Sequence, residues 1–265
     1  MTLRLTLSNP VFTDTHAHLY LEEFDADRDQ MMQRAEKAGV SHLFLPNIDS
    51  TSVKQMLKVC ETWPHLCYPM MGLHPTSVRA NYLDELDMVR KYLKDTAYRF
   101  YGVGEIGIDL YWDKTFQKEQ TEAFNLQLGL ALEHKLPVAI HTRNSMEVTL
   151  KIMEDRNDIG LRGVFHCYSG DVSQAKRAVN MRFYLGIGGV ITYKKSGLAE
   201  VVAAMPLEFL LLETDAPFLP PVPHRGKRNE SSYIPLIAQK VAEIKGVTLE
   251  KVAEVTTANA MKLFL

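Results

Sequence analysis

His16 and His18 stand two residues apart at the end of an apolar run, VFTDTH at 11–16. In extended chain, residues i and i+2 face the same way, so both imidazoles present to one side. The pattern repeats along the sequence. His74 ends CYPMMGLH (67–74), Glu105 ends the strand read from FYGVGEIG (100–107) with Asp109 just beyond, and His141 closes LPVAIHT (136–142). His166 follows RGVF in RGVFHCY (162–168), and Asp215 ends LEFLLLETD (207–215). A lone histidine at a strand end is ordinarily a hydrogen-bonded structural residue, and His42, His65, His134 and His224 read that way. A lone carboxylate there is ordinarily a cap. Four imidazoles and two carboxylates behind five apolar runs form a set that capping and solvation do not produce. Imidazole nitrogen and carboxylate oxygen are the usual ligands of a hydrolytic divalent cation. The set His16, His18, Glu105, His141, His166 and Asp215 therefore reads as a metal centre.

Basic side chains follow the same runs. Arg143 lies two residues past His141, Lys194 and Lys195 follow RFYLGIGG (182–189), and Arg225, Lys227 and Arg228 share the segment LPPVPHRGKRNES (219–231). Such clusters are commonly solvated surface, but behind strand ends they come to the rim of the metal centre, where a guanidinium can pair bidentately with phosphate. Arg143, Arg225, Lys227 and Arg228 are thus the candidate substrate-binding residues. Tyr111 and Trp112 either stack an unpaired base or pack as a lid.

The elements that must position these residues are eight near-continuous apolar runs, the seven above and SHLFLPNI at 41–48. Continuous rather than alternating hydrophobicity suits strands buried on both faces. Between them lie helical stripes: Met31, Met32, Ala35 and Ala38 closed by Gly39; Phe124, Leu128, Ala131 and Leu132; Ile234, Ile237, Ala238, Val241 and Ile244 closed by Gly246. Eight strand–helix units in a chain of 265 residues predict a (β/α)8 TIM-type barrel, in one domain over 1–265, with the polar strand ends gathered on its C-terminal rim. Gly102, Gly104 and Gly107 do not open a helix, which argues against a dinucleotide-binding open sheet.

The formal charge of −2 excludes a generally basic nucleic-acid coat protein, so an anionic substrate must be held locally. Cys60, Cys67 and Cys167 are odd in number and lack C-x-x-C spacing, which points to a reducing, cytoplasmic setting and away from a cysteine zinc site. The N-terminal MTLRLTLSNPVFTD carries no signal-like run, no stretch is long enough to span a bilayer, and no coiled-coil repeat calls for an oligomer. A monomer without a membrane or an obligate protein partner is the expectation.

Several motifs together carry a family resemblance: DTHAHL (14–19), GLHP (72–75), GEIGID (104–109), HTR (141–143), HCYSG (166–170), LETDAPFLPP (212–221), HRGKRNES (224–231) and TTANAMKLF (256–264). Spread in order over about residues 11–264, they resemble the TatD family of metal-dependent deoxyribonucleases, within the amidohydrolase-like hydrolases. Asn144 and Ser145 stand where many relatives have Asp-Ala. The resemblance implies two divalent cations per subunit, one held by His16, His18 and Asp215, the other by His141 and His166, with Glu105 bridging. Imidazole-rich ligation suits Zn²⁺, Mn²⁺ or Fe²⁺, whereas the family is described as Mg²⁺-dependent. On this reading Asp215 is the general base, Glu105 sets the metal separation, and His74 contacts the scissile phosphate or leaving oxygen, or else is structural. The family implies 3′→5′ exonuclease action on single-stranded DNA or RNA, with a part in DNA repair. The competing reading is an amidohydrolase acting on a small ester, lactone, amide or aminoacyl bond, since the same site can attack a carbonyl.

Overall fold

A computed structural model describes residues 10–265; the first nine residues of the N-terminal segment discussed above lie outside the described residues. Among the described residues the eight strands are Phe12–Asp14 (β1), Val40–Pro46 (β2), Cys67–Met70 (β3), Val103–Asp109 (β4), Val138–Arg143 (β5), Gly163–Phe165 (β6), Tyr184–Ile187 (β7) and Leu210–Leu212 (β8). Each pairs in parallel with its sequence neighbour, in the runs β1-β2-β3 and β4-β5-β6-β7-β8. Two seams join these runs. At the first, Met71 N donates to Gly102 O (3.0 Å) and Gly104 N to Met71 O (3.1 Å). At the second, Thr15 N donates to Leu212 O (3.0 Å), Asp215 N to His16 O (2.9 Å) and His18 N to Ala216 O (2.7 Å). The sheet is thereby closed into the expected barrel. Its closing seam brings His16 and His18 against Asp215, some two hundred residues away along the chain.

Among the described residues the helices are Arg28–Lys37 (α1), Val53–Thr62 (α2), Tyr82–Lys94 (α3), Gln117–His134 (α4), Met146–Arg156 (α5), Val172–Asn180 (α6), Leu198–Ala204 (α7), Ile234–Lys245 (α8) and Leu249–Phe264 (α9). The apolar stripes fold as the spacing predicts. Met31, Met32 and Ala35 are buried on Arg28–Lys37 (α1), which Ala38 caps. Gly39 then takes φ +88°, and a Cβ there would meet Pro10 O at 2.5 Å, so only glycine makes this turn into β2. Phe124, Leu128 and Ala131 are buried on Gln117–His134 (α4), and Ile234, Ile237, Ala238 and Val241 on Ile234–Lys245 (α8), which ends at left-handed Gly246.

The barrel interior is layered. Phe44, Met70, Ala139, Val164 and Leu211 form its apolar floor. Ala260, Leu263 and Phe264 of the C-terminal helix Leu249–Phe264 (α9) pack against that floor. Asn259 fastens the helix by donating to Leu207 O (3.0 Å) and Leu210 O (2.9 Å). Two residues beyond Ala139, Val164 and Leu211, on the same inward face by strand alternation, come His141, His166 and Glu213. An apolar plug thus underlies a polar layer.

Strand boundaries differ from the sequence expectation in one instructive place. Glu105 does not end its strand: it is the third residue of β4, which runs on to Asp109 by pairing Gly107, Ile108 and Asp109 with His141, Thr142 and Arg143. Gly107 permits this with φ +145°, where a Cβ would meet His141 O at 2.1 Å. Glu105 consequently lies deep in the mouth, 1% exposed. Conversely β1, β6 and β8 end before His16, His166 and Asp215, which follow just beyond the strands. Among the described residues no helix is long and apolar enough to cross a membrane.

Candidate metal centre

Glu105 is the hub of the mouth. Its Oε2 lies 3.1 Å from His16 Nε2 and 3.3 Å from His18 Nε2, and those two nitrogens are 3.3 Å apart. Asp215 Oδ1 stands 3.9 and 3.7 Å from the same nitrogens. Ligands held about 2.1 Å from one tetrahedral or octahedral cation stand roughly 3.0–3.4 Å apart, so the separations among Glu105, His16 and His18 are those of a coordination shell, with Asp215 somewhat farther out. The other oxygen, Oε1, faces a second group: His141 Nδ1 at 2.8 Å, His166 Nε2 at 3.1 Å and His74 Nε2 at 3.2 Å. One carboxylate divides its oxygens between two imidazole clusters. All six expected ligands come together here.

The hydrogen bonds behind the rings decide which nitrogens have lone pairs to offer. Tyr20 is buried, which raises its hydroxyl well above the ordinary tyrosine range. Its single proton goes to Pro46 O at 2.6 Å. The hydroxyl can therefore only accept from His18 Nδ1 (3.0 Å), which puts the His18 proton on Nδ1 and leaves Nε2 bare toward Glu105. His166 Nδ1 donates to Glu213 Oε1 (3.1 Å), again freeing Nε2 for the centre. His141 Nε2 donates to Asp109 Oδ2 (2.9 Å), which frees Nδ1. Such carboxylate–imidazole pairs fix the ring angle and strengthen the ligand.

His74 is wired the opposite way. Its Nδ1 accepts from the backbone N–H of Thr76 at 3.1 Å, so in the neutral ring the proton sits on Nε2 and points into the centre. Although its ring lies beside Glu105 and His141, His74 offers a donor there rather than a lone pair.

The electrostatics follow from burial and from the shared carboxylate. Burial opposes ionisation of Glu105, but His74, His166 and His16 around it hold it well below the usual carboxylate range. Burial lowers His16 well below its ordinary value and lowers His74 as well. Burial would also lower His166, but the carboxylates of Glu105 and Glu213 outweigh it and raise that ring well above the ordinary value. His141 is likewise raised, its bonds to Asp109 and Glu105 overcoming burial. Burial pushes Asp215 up to about 6. Asp215 is also held at φ +56°, an uncommon conformation for a non-glycine residue that aims its carboxylate back across the seam.

The basic residues divide. Arg143 is exposed, its guanidinium 4.0 Å from the Tyr111 ring centroid and 5.0 Å from that of Trp112. Arg225 lies over Tyr193 at 4.4 Å, and Lys227 is exposed. Arg228 departs from expectation. Its Nη1 and Nη2 bind Asp27 Oδ1 and Oδ2 at 2.7 and 2.9 Å, Nη1 also donates to Glu23 O at 2.6 Å, and its Cζ covers Phe24. With its fork spent on the segment before α1, Arg228 is a strut and not a substrate contact.

Glu213, Tyr20 and Asp14 were not singled out from the sequence. Glu213 and Tyr20 each stand two residues from a candidate ligand, Asp215 and His18, and that i, i+2 spacing is the signal that could have found them. Asp14 precedes His16 by two. It accepts from Thr214 Oγ1 and Ser231 Oγ, both at 2.6 Å, and so locks β1 to the segment carrying Asp215. Room for Glu213 depends on Gly186, where a Cβ would meet Glu213 Oε2 at 2.2 Å.

The profile of the TatD related DNase family matches residues 13–265. The uncharacterized metal-dependent hydrolase YabD of Bacillus subtilis is 35% identical over 257 residues, covering 95% of this chain and 98% of its own. Among solved structures, YjjV, a TatD homolog from Escherichia coli K12, superposes with TM-score 0.91 at 29% identity, over 97% of this chain and 99% of that one. A TatD family hydrolase from Entamoeba histolytica shares the fold with TM-score 0.84 at 23% identity, over 96% and 98% of the two chains.

Proposed function

The chain belongs to the TatD-related DNase family of metal-dependent hydrolases, and from that premise we propose that it hydrolyses phosphodiester bonds of single-stranded nucleic acid, as a 3′→5′ exonuclease using two divalent cations. The observation that carries the two-cation reading is the division of Glu105, one oxygen facing His16 and His18 and the other facing His141 and His166. A single-metal site needs no shared carboxylate.

Divalent cations bound there supply a nucleophilic water near neutral pH and positive charge for the phosphoryl oxygens. The protein's own residues do the rest. Asp215, a carboxylate whose affinity for protons burial has raised to about 6, accepts the proton of the attacking water. His74 Nε2–H, fixed by Thr76, donates to a phosphoryl oxygen or the departing oxygen. Asp109, Glu213 and Tyr20 hold the rings of His141, His166 and His18 in their ligating tautomers. Arg143, Arg225 and Lys227, with no carboxylate within salt-bridge distance among the described residues, remain as phosphate contacts at the rim, which favours a polyanion over a small neutral ester or amide.

The test is metal-stripped protein resupplied ion by ion and offered single-stranded DNA, duplex DNA, RNA, and simple esters and amides. Turnover of single strands with Mn²⁺, Mg²⁺ or Zn²⁺ is expected, and Asp215→Asn should keep the fold and at least one cation while losing hydrolysis. Turnover confined to the esters or amides, or full activity in Asp215→Asn, overturns the assignment.

A further inference from the structure

Between β4 and α4 the chain runs Leu110, Tyr111, Trp112, and on to Phe116. Leu110 and Phe116 pack against the core, but Tyr111 and Trp112 are 52% and 68% exposed. An isolated exposed aromatic is unremarkable. This pair is organised. The rings meet edge to face, centroids 4.9 Å apart at 84°, and the Arg143 guanidinium lies within 5.0 Å of both. One guanidinium covers one face of each ring, so the ring of Trp112 keeps a face open to solvent.

The platform is fastened to the metal centre. Asp109 Oδ1 accepts from the backbone N–H of Tyr111 (2.9 Å) and Trp112 (3.2 Å), while its Oδ2 binds His141 Nε2 (2.9 Å). Arg143 is two residues along β5 from His141, and its carbonyl accepts from Leu110 N (2.9 Å). The same carboxylate therefore sets the angle of a ligand and the position of two aromatic rings. Surface rings serving only solubility or packing need no such tether. Flat π-faces beside a free guanidinium match one chemistry: an unpaired nucleobase stacked on the ring with its phosphate beside the arginine.

We infer that Tyr111, Trp112 and Arg143 form a stacking subsite for an unpaired nucleobase next to the scissile phosphate. Naming the substrate as a strand with an open base face, the inference rests on the phosphodiesterase reading above. A base paired in duplex has no free face to give, so the subsite selects single strands.

The test separates binding from turnover. A fluorescein-labelled oligothymidylate is titrated by anisotropy against chelator-treated protein, where no hydrolysis occurs. Trp112→Ala should weaken binding about tenfold and Trp112→Phe much less. An oligomer whose 3′-terminal residues are abasic, and a fully paired duplex, should bind both forms alike. Equal affinity of wild type and Trp112→Ala for the oligothymidylate, or no binding by wild type, overturns the subsite. Parallel assays with metal restored distinguish the two readings. Hydrolysis by a Trp112→Ala variant of unchanged affinity refutes the subsite and leaves the phosphodiesterase standing. Trp112-dependent binding by a protein that cleaves no phosphodiester upholds the subsite and refutes the hydrolysis.

Discussion

Glu213→Gln is the perturbation that best isolates the role of the residues behind the ligands. Glu213 is fully buried; its Oε1 accepts from His166 Nδ1 and from the Cys167 backbone N–H, while its Oε2 has no hydrogen-bond partner. Glutamine keeps the shape and can keep the accepting oxygen, but removes the negative charge. A hydrogen bond to a charged acceptor is worth about 1.5–3 kcal/mol, and a neutral one about 1 kcal/mol. The variant should thus lose roughly 1–2 kcal/mol of orienting force on His166. Losses of partners behind metal-bound histidines ordinarily cost about 10–100-fold in metal affinity, and about tenfold is expected here because the acceptor survives. The stability of the metal-free protein should fall by a similar amount at pH values where His166 is charged, since the carboxylate that helps hold its buried imidazolium is gone. Isothermal titration with Mn²⁺ or Zn²⁺ reads the first quantity and chemical denaturation of stripped protein the second. Metal affinity unchanged within twofold would refute the account of Glu213 as the group that holds His166.

Burial raises Asp14 to about 7 despite its bonds to Ser231, Thr214 and His16 N, so the folded state favours the protonated form. Its stabilising contribution is complete below the unfolded value near 3.8 and is lost as pH rises to about 7; the stability difference between wild type and Asp14→Asn, measured by denaturant midpoints on metal-free protein, should change across that window and be flat above it. His74→Ala should reduce kcat about 100-fold while metal stoichiometry stays at the wild-type value, because the ring supplies an N–H and not a lone pair; metal analysis showing a lost ion would make it a ligand. Arg228→Ala should cost about 1 kcal/mol of stability, its pair with Asp27 being about a third solvent-exposed and screened, and leave the KM for oligonucleotides unchanged.

The clustered residues were legible because strand alternation and apolar context act locally: each of His16, His18, His141, His166 and Asp215 is announced by the run before it. Glu105 was legible as part of the cluster but not at its depth. In GEIGID the glycines hide the end of the strand, and only pairing of β4 with β5 carries it on to Asp109. Arg228 shows the opposite limit. In the sequence it belongs to a basic cluster, yet its partner Asp27 lies 201 residues away and nothing local advertises that pairing. The C-terminal helix α9 showed only as the motif TTANAMKLF, because its part in sealing the barrel floor depends on Phe44 and Leu211, which no spacing links to it.

The same contrast explains how the centre is built. Local alternation can place a donor atom at a strand end, but it cannot choose which of two imidazole nitrogens carries the proton. That choice is made by Tyr20, Asp109, Glu213 and Thr76, one partner behind each of His18, His141, His166 and His74. Three of the four partners take the proton away from the centre, and the fourth, a backbone N–H, sends it inward. Among these four rings, three inward lone pairs and one inward donor match a site for cations beside an anionic substrate. On the proposed reading, cations would take the bare nitrogens and a phosphoryl oxygen the inward hydrogen.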